Sequence, residues 1–285
     1  VPDTIYSVLC TDTAPYLQWQ CELLEHTWRE VRQPGELLRL VAAREDEALP
    51  GHAHARVLRM PPSNVEPGSG DTYAPYNRLH SLRAWLQREG PEGTVLILDP
   101  DMVFREALVL RTVPGAPVAQ RWVDFGDGSW LAAQMGVERA QLQPATWPLA
   151  IHTQDLARLL RRWIERTADV RRVTGRWESD MFGLVLAASE SGLRFELTTT
   201  CAWMNWPEDA VRGAPLLHYC QAVEAGDGTT LWTKRGYRPW DHDLDPTLAR
   251  LDYCRDLLQI VRTYARLRSG DPGSAAPATR RPPRG

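Results

Sequence analysis

An apolar run that ends in two carboxylates, Thr94-Val95-Leu96-Ile97-Leu98-Asp99-Pro100-Asp101, carries the clearest chemical signal in this sequence of 285 residues. Side chains two apart on an extended chain point the same way, and Pro100 stops the backbone ladder between them. Two adjacent carboxylates repel and share a desolvation cost, so the pair makes chemical sense around a divalent cation. Such a cation keeps positions open for phosphate oxygens, which makes a metal-diphosphate site the expectation. Two solvated aspartates at a strand end are the bland alternative. His218 lies in a later apolar run, Pro215 to Cys220, and a neutral imidazole there would complete the sphere begun by Asp99 and Asp101. Mn2+ accepts such mixed nitrogen and oxygen ligation more readily than Mg2+.

Two further groups bear charge in informative places. Lys234 is the one lysine among 33 basic residues, so a compact point charge is set there against chance retention, with Arg235 and Arg238 as alternates. Trp177-Glu178-Ser179-Asp180 opens a helical segment. Acids at a helix N-terminus are favoured by the macrodipole, which gives simple capping as one reading. The other has Glu178 or Asp180 facing an acceptor hydroxyl or an oxocarbenium-like centre.

Strands and helices alternate so as to position these groups. Ile5 to Cys10 predicts a strand, and Pro15 opens a helix over Tyr16 to Val31 with Trp19, Leu23, Leu24 and Trp28 at helical spacing. Leu37 to Ala43 and Ala55 to Met60 predict strands. Asn77 is expected to cap a helix whose stripe is Leu79, Leu82, Trp85 and Leu86, ended by Gly90-Pro91. The unbroken apolar character of Val95 to Leu98 predicts a strand buried on both faces. Later, Ala116 to Asp124 reads as a strand with a hairpin return over Trp130 to Gly136. Gln154 to Thr167 and Glu178 to Ser191 read as helices and Leu193 to Thr199 as a strand. The pattern predicts an α/β fold, a mostly parallel central sheet with helices on both faces, and ligands at its carboxyl edge. One domain over 1–244 is expected, with halves at about 1–110 and 111–244, a C-terminal helix over 245–268 packed on it, and a disordered tail over 269–285.

Composition removes several classes of function. A net charge of -3 supplies no basic footprint for nucleic acid. Five cysteines without C-x-x-C spacing indicate neither a zinc site nor a disulfide framework, and fit a reducing compartment. No apolar run approaches the roughly 18 residues of a membrane span, and Val1-Pro2-Asp3 does not begin a signal peptide. A cytoplasmic location is therefore expected, and a lumenal one stays open if an upstream anchor was removed.

Together, Thr11-Asp12-Thr13-Ala14-Pro15, Tyr76-Asn77-Arg78, Leu96 to Phe104, Trp177 to Gly192 and Leu217-His218-Tyr219 resemble metal-dependent glycosyltransferases of the GT-A fold, which is Rossmann-like. The closer likeness is to peptidyl hydroxyproline O-arabinosyltransferases and peptidyl serine α-galactosyltransferases. The resemblance implies that Asp99, Asp101 and His218 hold Mn2+ or Mg2+ on the diphosphate of a UDP-sugar. It also implies that Thr11 and Asp12 lie by the uracil and ribose, that Asn77 and Arg78 approach the donor, and that Lys234 meets the diphosphate. Glu178 or Asp180 would face the reacting sugar. The half over 1–110 would bind the nucleotide sugar and the half over 111–244 the acceptor. The implied reaction is retaining transfer of galactose or arabinofuranose to a peptide hydroxyl, on serine or hydroxyproline. A haloacid-dehalogenase-like phosphohydrolase using Asp99 as nucleophile and Asp101 as acid, and a non-catalytic nucleotide-sugar-binding module, are the alternatives.

Overall fold

The computed structural model of the protein describes residues 4–51, 53–204, 206–211, 213–241 and 243–270. The chain begins with β1 (Thr4–Asp12), α1 (Pro15–Glu30), β2 (Glu36–Ala42), β3 (Arg56–Met60), α2 (Tyr76–Glu89) and β4 (Gly93–Leu98). Here β1 lies parallel between β2 and β4, and β3 extends the sheet beyond β2 in the same direction. Pro15 starts α1, where its missing N–H costs nothing, and Trp19, Leu23 and Leu24 are buried. Gly90, in the left-handed conformation, closes α2 on the Leu86 carbonyl. Contrary to the expectation from the sequence, Asn77 does not cap that helix. It sits inside the first turn after Pro75, and its Oδ1 accepts the Ser63 backbone N–H at 2.7 Å.

After β4 the chain leaves the sheet through Asp99-Pro100-Asp101 and forms β5 (Met102–Phe104). The main sheet is completed by β6 (Val118–Arg121), β7 (Ala145–His152) and β8 (Glu196–Thr198), giving the order β3-β2-β1-β4-β7-β6-β8. Strand β7 is antiparallel to both neighbours, and the remaining pairs are parallel. All six residues of β4 and all eight of β7 are buried, so both faces of the sheet are covered there. This is the expected α/β class with a mostly parallel sheet, consistent with a Rossmann-like GT-A fold.

The middle of the chain departs from expectation. The segment after Gly128 is not a hairpin return but a helix, α3 (Ser129–Met135), ended by Gly136 in the left-handed conformation. The first predicted strand of that pair stops at Arg121 and passes into a 3-10 turn over Val123–Phe125. The helices α4 (Thr153–Thr174) and α5 (Ser179–Glu190) follow β7, and α4 runs two turns beyond its predicted end because no breaker precedes Gly175. They pack closely at Gly183, where an added Cβ would lie 2.3 Å from Thr167 Oγ1 and 2.8 Å from its backbone nitrogen.

The chain folds as two units, one of Val1–Ala202 with Gly213–His218, the other of Trp203–Arg212 with Tyr219–Gly285. A second sheet has the order β5-β10-β9, from β9 (Cys201–Trp203) and β10 (Leu216–His218). The second unit contains the short helix α6 (Glu208–Val211), the two-stranded β11 (Val223–Glu224) and β12 (Thr230–Trp232), and α7 (Asp252–Ser269). The last helix starts at Asp252, since Asp245-Pro246 opens a 3-10 turn instead, and it buries Tyr253, Cys254, Leu257, Leu258, Val261 and Ala265. The tail expected to be disordered lies, from 271 on, outside the described residues. No helix among those described is long and apolar enough to cross a membrane. All five cysteines are free thiols.

Candidate metal centre

The parallel strands β1 to β4 end on one edge, and Asp99 and Asp101 leave that edge from β4. Pro100 ends the ladder, and the chain switches to the second sheet, where β5 pairs antiparallel with β10. The register sets His218 opposite Met102, next to Asp101, and so brings together residues 117 apart in sequence. His218 Nε2 is 3.1 Å from Asp101 Oδ1 and 3.6 Å from Asp99 Oδ2. Ligand atoms of all three residues lie within 4.8 Å of one another. Two oxygens and a nitrogen around an ion with bonds of about 2.1 Å would stand about 3.0 Å apart when adjacent and about 4.2 Å when opposed. The two distances from His218 fall in that range, and the three donors are of kinds that bind a divalent cation.

Arg78 organises the side of the cluster away from His218. It rises from the first turn of α2, and its guanidinium pairs with Asp99 Oδ1 and, at 2.9 Å, with Asp180 Oδ2. The face of the guanidinium lies 4.5 Å from the centre of the Trp147 ring on β7. Burial opposes the Arg78 charge, but the two carboxylates outweigh it and hold the group above its ordinary value. Asp99 thus gives one oxygen to Arg78 and turns the other towards His218.

Asp180 is held from every side. Tyr73 Oη lies 2.9 Å from its Oδ1 and accepts its backbone N–H at 3.1 Å, while its carbonyl accepts Trp163 Nε1–H at 2.7 Å. Burial pushes the Asp180 carboxyl up, opposed by Arg78 and by the Tyr73 hydroxyl. Tyr73 itself is fixed by the Arg171 guanidinium 4.5 Å over its ring, and Arg171 makes a two-pronged pair with Asp71 at 2.8 and 2.9 Å. Tyr73 and Trp147 do not stand out in the sequence, and Trp163 does so only on the apolar stripe of the helix over Gln154 to Thr167. The signal for Tyr73 is its place just ahead of a helix start, and for Trp147 only the abundance of tryptophan.

The other predicted residues fall as follows. Thr11 and Asp12 end β1 at the same sheet edge, beyond the Leu9–Leu98 register pair. Thr11 Oγ1 accepts the Nε–H of buried Arg39 at 2.9 Å, and Asp12 Oδ1 accepts the Ala14 N–H at 2.9 Å. Asn77 is buried and turned to Ser63. Glu178 is half-buried just before α5 and caps no backbone N–H with its side chain. Lys234 belongs to the second unit, half-buried after β12, with Arg235 and Arg238 exposed.

No family model matches the chain. Among curated proteins it is similar to a peptidyl serine alpha-galactosyltransferase of Arabidopsis thaliana, 27% identical over 216 residues, and to one of Chlamydomonas reinhardtii, 24% identical over 288. These matches cover 68% and 86% of this chain but only 27% and 37% of the relatives' own lengths. The resemblance read from the motifs is therefore supported, and the chain is a distant relative of part of proteins named as glycosyltransferases.

Proposed function

We propose that this chain is a metal-dependent glycosyltransferase that moves galactose, with retention of configuration, from a UDP-sugar to a serine or hydroxyproline hydroxyl of a peptide. The observation that carries the reading is the convergence of Asp99, Asp101 and His218 at the carboxyl edge of the sheet, at ligand spacing. The names of the two relatives favour galactose and serine over arabinofuranose and hydroxyproline.

Asp99 Oδ2, Asp101 Oδ1 and His218 Nε2 would hold Mn2+, whose chemistry here is to neutralise charge on the departing diphosphate. Arg78 keeps Asp99 in place through its second oxygen. Thr11 and Asp12, on the neighbouring strand end, are assigned to the nucleoside, and Asn77 with Arg78 to the donor side. Of the two acids at the start of α5, Glu178 is the one whose carboxylate is not tied to Arg78 and Tyr73, and it is assigned to face the reacting sugar. Retention requires no dedicated base, because the leaving phosphate can take the acceptor proton.

The test is UDP release from a panel of UDP-sugars with and without Mn2+. Mn2+-dependent release with UDP-galactose supports the reading. Release of orthophosphate from small phosphates through a phosphorylated Asp99 would instead establish a phosphohydrolase, and UDP binding without any release a binding module.

A further inference from the structure

We infer that Asp180 is a positioning residue that acts through Arg78 on Asp99, and not an acid that touches the sugar. The inference rests on the metal reading above. Both Asp180 oxygens are engaged, Oδ2 by the Arg78 guanidinium at 2.9 Å and Oδ1 by the Tyr73 hydroxyl at 2.9 Å, and the residue is only 4% exposed. Each oxygen thus already has a protein partner, the Tyr73 hydroxyl being shared with the Trp177 carbonyl, and burial leaves the carboxylate little access to a substrate. Arg78 in turn is confined on its face by Trp147 and on its edge by two carboxylates. A planar fork gripped in this way has one orientation, and it fixes which Asp99 oxygen remains for the cation. The chain of contacts therefore runs from Arg171 over the Tyr73 ring, through Asp180 and Arg78, to Asp99 Oδ1, and it leaves Oδ2 turned to His218. Outer partners of this kind orient ligands and set affinity.

Calorimetric titration of Mn2+ into the UDP-bound full chain tests the assignment, with Arg78→Lys, Asp180→Asn and the double variant. Lysine keeps the charge but cannot span two carboxylates. Each single substitution is expected to weaken Mn2+ binding about 10–100-fold. The double variant is expected to bind no more weakly than Arg78→Lys alone, because among the described hydrogen bonds it is Arg78 that joins Asp180 to Asp99. A loss in the double variant equal to the product of the single losses overturns the inference. So does Mn2+ affinity at the wild-type level in both single variants. Asp101→Asn is the separate control: unchanged Mn2+ affinity in that variant defeats the metal reading itself, whatever the other variants do. Where the double variant does not fold, Tyr73→Phe, which removes a hydroxyl and no charge, takes its place. Weaker Mn2+ binding at an unchanged melting temperature then supports the relay, and wild-type affinity overturns it.

Discussion

Replacing His218 with alanine isolates the share of the imidazole in the proposed cation site. The side chain is buried, its Nε2 stands 3.1 Å from Asp101 and 3.6 Å from Asp99, and alanine supplies no donor in its place. Loss of a mere outer partner weakens metal binding about 10–100-fold, and loss of a direct ligand should cost at least the upper end of that range. With free Mn2+ at 100 times the wild-type Kd, binding stabilises the wild type by about 2.7 kcal/mol, and a variant 100-fold weaker by about 0.4 kcal/mol. At about 2–4 °C per kcal/mol for a chain of this size, Mn2+ should raise the wild-type melting temperature by about 5–11 °C and that of the variant by about 1–2 °C. The assay is a thermal melt in Mn2+ against one in chelator, each protein compared with its own chelated baseline so that lost packing cancels. An equal Mn2+-dependent rise in both proteins would refute the ligand assignment.

Two further outcomes test the scaffold. Gly183→Ala forces a Cβ to within 2.3 Å of Thr167 Oγ1 and 2.8 Å of its backbone nitrogen, which should cost about 1–3 kcal/mol by overpacking α4 against α5; an unchanged urea midpoint would contradict this. Asp71 is held below the usual carboxylate range, chiefly by its hydrogen bonds with Arg171. Because its folded value lies below its unfolded one, the stability it contributes is fully present above about pH 4 and is lost as the pH falls through the folded value. The gap in melting temperature between wild type and Asp71→Asn should therefore be level near neutral pH and close at more acid pH. A gap that widens on acidification would count against the pairing.

The sheet edge was legible because β4 is apolar without interruption and then stops at a proline between two acids. That pattern has few other physical meanings. His218 was a weaker inference, since its place depends on β5 pairing with β10 across more than 100 residues, and no local spacing encodes such a partner. Strand β7 was missed because Pro148 breaks the pattern of a central strand; it sits where the β6–β7 register shifts, a place that needs no ladder bond from it. Helix α3 was misread because seven residues of mixed apolar character fit either a short strand or two turns of helix. The Asp180 relay was invisible in the sequence for a different reason. Acids at a helix start read as caps, whereas here the carboxylate turns to Tyr73 and Arg78, which come from a loop and helix some 100 residues earlier.

The most direct measurement is mass spectrometry of serine- and hydroxyproline-containing peptides after incubation with the protein, Mn2+ and UDP-galactose. The wild type should add one hexose to a hydroxyl, the product should vanish in chelator, and Asp101→Asn should form none. No modified peptide across a panel of UDP-sugars that includes UDP-arabinofuranose, or an Asp101→Asn variant as active as the wild type, would contradict the proposed reaction.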